Sequence, residues 1–300
     1  MVESAIIPAA GLGTRLLPAT RAVPKVMLPL VDTPVIQIVV EEAVAAGITD
    51  IVIVTGPGQE AIKEHFRPDP DLERRLEARG DIEIRDRLRR LTELADLADI
   101  RFVTQPELRG LGEAVLRARS AVGSGPFAVL LGDTVVTGPG PAIGQLAAVQ
   151  ERIGHSVVAV EEAAEEVLER YGVVGGTPAE DGLIAVSEIV EKPPPGRAPS
   201  RWAIAGRYVL TPTVFDTLAD LEPGRDGEIG LTDALAALIG VEGITACPLT
   251  GRRYDTGSKI DYVRATLDLA LARAGYRDRL HRHLRGILER WTGPDVPPCS

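Results

Sequence analysis

A glycine loop, Ala9-Ala10-Gly11-Leu12-Gly13-Thr14-Arg15-Leu16, follows the short apolar run Ala5-Ile6-Ile7-Pro8. Glycines in such a loop let backbone N–H groups close on phosphate oxygens, and the Arg15 guanidinium adds a fixed cationic fork. Alone this is a weak sign, because a glycine turn that merely packs a helix onto a sheet reads the same way. The dinucleotide fingerprint wants a third Gly or Ala where Leu16 stands, and the Gly-Lys-Ser/Thr ending of a P-loop is absent. Further along, Val23-Pro24-Lys25-Val26-Met27-Leu28-Pro29 sets a lysine between prolines. An extended loop there could carry Lys25 back over the same phosphates, where a point charge follows charge building on a leaving pyrophosphate. Gly11, Gly13, Thr14, Arg15 and Lys25 together therefore read as a triphosphate site.

Gly-Leu-Gly-Thr-Arg, then Pro-Lys-x-Met-Leu-Pro, then Asp32-x-Pro34 with Ile36-Gln37 resembles the sugar-nucleotide pyrophosphorylase (nucleotidyltransferase) family. Within it, the chain is most similar to the bacterial UTP:glucose-1-phosphate uridylyltransferases, through to about Ala272. The charged insertion Leu72–Gly80 favours that branch over the thymidylyltransferases. The resemblance implies transfer of a nucleotidyl group from a nucleoside triphosphate to a sugar 1-phosphate, with release of pyrophosphate and Mg2+ as cofactor. It implies a Rossmann-like nucleotidyltransferase fold and leaves a homo-oligomer open. Asp133 ends an apolar run, and Asp255 sits in Tyr254-Asp255-Thr256-Gly257 before a helical stretch. A carboxylate at the carboxyl edge of a strand faces the ligand crevice of an α/β sheet, and hard oxygens suit magnesium. Both match metal ligands of the resembled family. Read blandly, Asp133 is a turn residue and Asp255 lies near a helix cap.

On the sugar side the same resemblance points to Gly172, to Glu191 as acceptor for hydroxyls, and to Lys192 as holder of the sugar phosphate. The base would lie against Ala10, Gly11, Gln105 and Gly110; an amide both donates and accepts. Two positions depart from the family pattern: Val26 stands where a Glu is usual, and Gly230 where a Gln is usual. Val26 belongs to the nucleotide pocket by analogy, so the base and the acceptor stay open, with GTP or a cyclitol phosphate as alternatives. A catalytically weak binding or regulatory paralogue is the alternative of another class. A nicotinamide-dependent dehydrogenase rests on the glycine loop alone.

The 300 residues carry a formal charge of −10, with 45% hydrophobic and 25% charged residues. So acidic a chain is a poor general partner for nucleic acid, so positive charge must be local. No apolar run of about 18 residues predicts a membrane span. Cys247 and Cys299 are its two cysteines, too few for a disulfide framework, and a cytoplasmic location is expected. The scattered histidines form no triad or metal pair.

Short apolar runs alternating with helical stretches predict an α/β fold, with a mixed, mainly parallel central sheet flanked by helices. Strands are expected at 50–54, 100–104, 127–131, 157–161, 172–174, 184–190 and 204–210. A helix is expected over 34–46, exposed amphipathic helices over 68–98, and closing helices over 258–272 and 277–288. We expect one domain over 1–291. Its nucleotide half spans about 1–135, its sugar half about 136–260, and its C-terminal helices about 258–291. A flexible tail over 292–300 would follow.

Overall fold

A computed structural model describes residues 1–224 and 227–292. From residue 293 onward the expected tail lies outside the described residues, as does Cys299. The first half contains strands β1 (Ser4–Pro8), β2 (Pro29–Leu30), β3 (Thr33–Pro34), β4 (Asp50–Thr55), β5 (Asp99–Thr104), β6 (Phe127–Leu130) and β7 (Thr134–Thr137). The second half adds β8 (Ser156–Glu162), β9 (Gly172–Pro178), β10 (Ile184–Glu191), β11 (Trp202–Leu210), β12 (Ile244–Pro248) and β13 (Arg252–Asp255).

Nine of them form one sheet in the order β5-β4-β1-β6-β11-β8-β12-β10-β9. The β5-β4-β1-β6 part is parallel. β11 then joins β6 and β8 antiparallel, β12 lies parallel to β8, and the β9–β10 hairpin is antiparallel. The α/β fold with flanking helices is therefore as expected, and the parallel character belongs to the first half. The physical reason is connection length: β9 and β10 are joined by a short turn, which permits only antiparallel pairing.

Side chains alternate across the sheet, as the strand period demands. Ile7, Ile51 and Ile53 enter one core, with Val39, Val40 and Ile143 from the helices Val35–Ala45 and Ala142–Ile153. Ile6, Val52 and Val129 enter the other, with Val115, Leu218 and Leu235 from the helices Leu111–Arg117, Thr213–Asp220 and Leu231–Glu242. Each fully buried aliphatic of this kind contributes about 1.5–3 kcal/mol relative to exposure. With both faces covered, β1 reads as an unbroken apolar run.

The charged insertion forms the helices Pro70–Arg79 and Ile82–Leu97. Asp69 caps the first by accepting from Leu72 N at 2.9 Å, and Gly80 ends it at φ 73°. Asp32 ties this insertion to the C-terminal helices through Arg87 and Arg273. The Arg273 hydrogen bond holds the Asp32 carboxyl down to about 2. No described helix is long and apolar enough to cross a membrane.

The ribbon of β7 with β13 lies outside the main sheet and went unforeseen. Its register pairs Asp255 with Thr134, the residue after Asp133. Carboxylates far apart in sequence thus meet through the register of this ribbon.

Candidate active site

The glycine loop leaves the end of β1 and turns at Gly13, whose φ is 64°. A Cβ on Gly13 would stand 2.8 Å from Lys25 Cβ, and one on Gly11 would stand 3.1 Å from Lys25 Nζ. These glycines are what let the lysine lie over the loop. A 3-10 turn over Thr14–Leu16 follows, closed by Leu16 N donating to Gly13 O at 3.0 Å. Lys25 occupies a similar turn, Lys25–Met27, and its Nζ donates to Asp133 Oδ2. Arg15 is exposed, with its guanidinium 4.0 Å from Asp255 Oδ2.

Asp133 follows β6 in Leu131-Gly132-Asp133. Gly132 N donates to Pro8 O at 3.2 Å, so the turn is stitched to the end of β1. Thr256 donates to the Asp133 carbonyl from its backbone N at 2.9 Å and its hydroxyl at 2.6 Å. Gly257 N donates to Asp255 Oδ1 at 2.9 Å. A Cβ placed on Gly257 would lie 3.0 Å from Asp255 Oδ1 and 3.6 Å from Asp133 Oδ2, so both carboxylates flank one small space. Their titration splits accordingly. Burial pushes the Asp133 carboxyl up, but the Lys25 ammonium outweighs it, and the net result is below the ordinary carboxylate range. Asp255 is pushed above that range, first by burial and then by the Asp133 charge.

Two clefts share Lys25, Leu131 and Asp133. Ala10, Gly11, Gln105 and Gly110, the four residues assigned to the base, line one. The Gly110–Gly112 turn needs its glycines because the chain at 229 presses on it. Gly110 sits at φ 96°, a Cβ there would meet Ile229 O at 2.7 Å, and Gly112 N donates to the same oxygen at 2.8 Å. Gly13, Thr14, Arg15, Glu191, Lys192 and Asp255 line the other cleft. Gly172 lies beneath, where a Cβ would come within 3.3 Å of Glu191 Oε2. That oxygen accepts from the Thr232 hydroxyl at 2.7 Å, and Lys192 Nζ is 3.3 Å from Glu191 Oε1. Lys192 stands at φ 45°, a costly conformation for a residue with a Cβ, held by its N–H donating to Tyr171 O at 3.0 Å.

Val26 is corrected. Its side chain has 0% exposure, belongs to the core with Ile36, and lies under Gly132, lining neither cleft. Val26→Glu is therefore expected to bury an unpaired carboxylate and cost at least about 2 kcal/mol, leaving ratios of kcat/KM among triphosphates unchanged. Thermal melts and those ratios check this together. Gly230 precedes the helix Leu231–Glu242, and a Cβ there would strike Asp233 Oδ2 at 2.4 Å. Glycine at 230 thus accommodates Asp233 in its present place.

Arg253, Tyr171 and Arg207 were missed. Arg253 faces the second cleft, donates from Nε to Glu161 Oε1 at 2.6 Å, and lies over the Tyr171 ring at 4.3 Å. The period of two on β13 could have found it, since 253 and 255 share a face. Tyr171 in turn donates to Asp255 Oδ2 at 3.4 Å. Arg207 is fully buried in β11. It pairs with Glu42 of the helix Val35–Ala45 at 2.7 Å and donates to Thr134 O at 2.8 Å. That clamp fixes the backbone beside Asp133. An arginine inside an apolar strand carries no local signal, because its partner lies on a distant helix.

Over residues 4–271 the chain matches the nucleotidyl transferase family, and it belongs to that family. It is 46% identical over 289 residues to the UTP–glucose-1-phosphate uridylyltransferase of Bacillus subtilis (strain 168), covering 96% of this chain and 98% of that one. A UDP-glucose pyrophosphorylase solved in complex with UDP-glucose has TM-score 0.82 at 36% identity, over 91% of this chain and 100% of that one. A UTP-bound UGPase from Acinetobacter baumannii has TM-score 0.86 at 35% identity, over 95% and 99% of the two chains.

Proposed function

We propose that this chain transfers the uridylyl group of UTP to glucose 1-phosphate, forming UDP-glucose and releasing pyrophosphate. The observation that carries this reading is the meeting of two clefts at Lys25 and Asp133. The nucleotide half, about 1–135, supplies all of one cleft but Glu228, and the sugar half, about 136–260, shares the lining of the other with it. The names of the similar proteins favour uracil and glucose among the substrates such clefts could take.

No nucleophilic side chain is required. A phosphate monoester has its second pKa near 6, so the sugar phosphate oxygen is already anionic at neutral pH. It attacks the α-phosphorus; the new P–O bond forms as the bond to pyrophosphate breaks. Gly11 and Gly13 let backbone N–H groups approach the triphosphate. Arg15 and Lys25 offset its charge, and Lys192 holds the incoming phosphate. Glu191 accepts from sugar hydroxyls, with Thr232 fixing one of its oxygens.

Magnesium fits Asp133 and Asp255. Both offer hard oxygens to one space, and the Lys25 ammonium already places a cation on Asp133. Among the described residues no group of three or more His, Cys, Asp or Glu could hold a metal. Phosphate oxygens and water would complete the shell. When bound, the ion would neutralise phosphate charge and align the α-phosphate.

The test is a matrix of triphosphates against sugar and cyclitol phosphates, with pyrophosphate release and product masses measured. UTP with glucose 1-phosphate should give the mass of UDP-glucose at the highest kcat/KM. Another preferred pair replaces the substrates; no release from any pair leaves a binding paralogue. Lys192 gives a narrower check. Both Lys192→Ala and Lys192→Gly should raise KM for the sugar phosphate. Only the glycine variant should gain stability, by roughly 1 kcal/mol, through relief of the positive φ.

A further inference from the structure

We propose that Glu113 sets the donor–acceptor polarity of the Gln105 amide and thereby selects nucleobases that present a ring N–H. The inference rests on the proposed nucleotide reading of the first cleft. Gln105 follows β5 and is 2% exposed. An amide could present either its oxygen or its nitrogen to a base. Here Gln105 Nε2 donates to Gly110 O at 3.1 Å and to Glu113 Oε2. A carboxylate and a peptide carbonyl only accept, so the nitrogen must face both, and the charged Glu113 is the stronger of the two holds. The other carboxylate oxygen accepts from Arg117 Nε at 2.5 Å, so both oxygens of Glu113 are engaged as acceptors. Both N–H groups of Gln105 are thus spent inside the protein, and Oε1 is what remains for a ligand.

Glu113 is 5% exposed and lines neither cleft. A buried carboxylate is an expensive way to fill space, and an apolar residue would serve the packing at less cost. What the carboxylate adds is polarity. An acceptor oxygen pairs with the imide N–H of uracil or thymine, or with guanine N1–H. Cytosine N3 and adenine N1 carry lone pairs there and would meet it acceptor to acceptor. Glu113 is a positioning residue in this scheme, acting through Gln105.

The test compares UTP with CTP. Kd is measured by calorimetry without sugar phosphate, and kcat/KM with it. Wild type should favour UTP. Glu113→Gln keeps the shape but can turn a donor toward the amide at 105, leaving the Gly110 carbonyl as the single group that holds the nitrogen inward. The UTP-to-CTP ratio should fall roughly tenfold, with UTP weakened and CTP strengthened. Glu113→Met removes the polar group and repeats the test should the first variant not fold. A merely structural role would weaken both nucleotides by one factor; an unchanged ratio in a folded variant overturns the proposal. A wild type that favours CTP also overturns it. A wild type that binds no triphosphate overturns the proposed function itself, and this inference with it.

Discussion

Asp133→Asn is expected to lower kcat at least about a hundredfold while the protein stays folded. The substitution keeps shape and keeps an oxygen for Lys25 Nζ, but it removes a charge. Lys25 holds the Asp133 carboxyl below the ordinary range despite burial, so wild type carries that charge throughout the neutral range. Two effects on the fold oppose each other. Lys25 loses its counter-charge, and Asp255 loses the neighbour that pushes it up. Thermal melts should therefore change little. Raising magnesium should not restore turnover. Near-normal kcat at saturating magnesium would remove Asp133 from the metal site.

Lys25→Ala should cost about a hundredfold in kcat and far less in nucleotide affinity. On the proposed reaction the ammonium faces the developing pyrophosphate charge, and a contact that strengthens with that charge acts on the transition state. Single-turnover rates and direct UTP binding separate the terms; a change in KM alone would make Lys25 a uniform binding residue. The variant should also move the acid limb of the pH–rate profile. Lys25 is what lowers Asp133 against burial. Without it the Asp133 carboxyl rises, so protonation removes activity at a higher pH than in wild type. An acid limb that stays in place would mean that Asp133 ionisation does not limit turnover.

Gly11, Gly13, Arg15 and Lys25 were legible because each demand is local. A φ of 64° at Gly13 favours glycine, and a Cβ there would strike Lys25; prolines bracket the lysine within a few residues. Most of the sheet strands were legible for a similar reason, since burial on both faces writes continuous apolar runs, but β12 was not foreseen. Val26 shows the limit. Its place beside Lys25 suggested the pocket, yet on a 3-10 turn neighbouring side chains point apart, and Val26 faces the core.

The sequence by itself determined the alternation of strands and helices, the glycine loop, and the candidate carboxylates. Those follow from side-chain period, glycine freedom and residue chemistry, which act over a few residues. Tertiary structure alone decided that Asp133 and Asp255 share one space, through the β7–β13 register. It alone decided that Arg207 meets Glu42 beside Thr134 and that Glu113 stands behind Gln105. Partners of that kind are chosen by where the sheet brings distant segments together, and no local pattern records it.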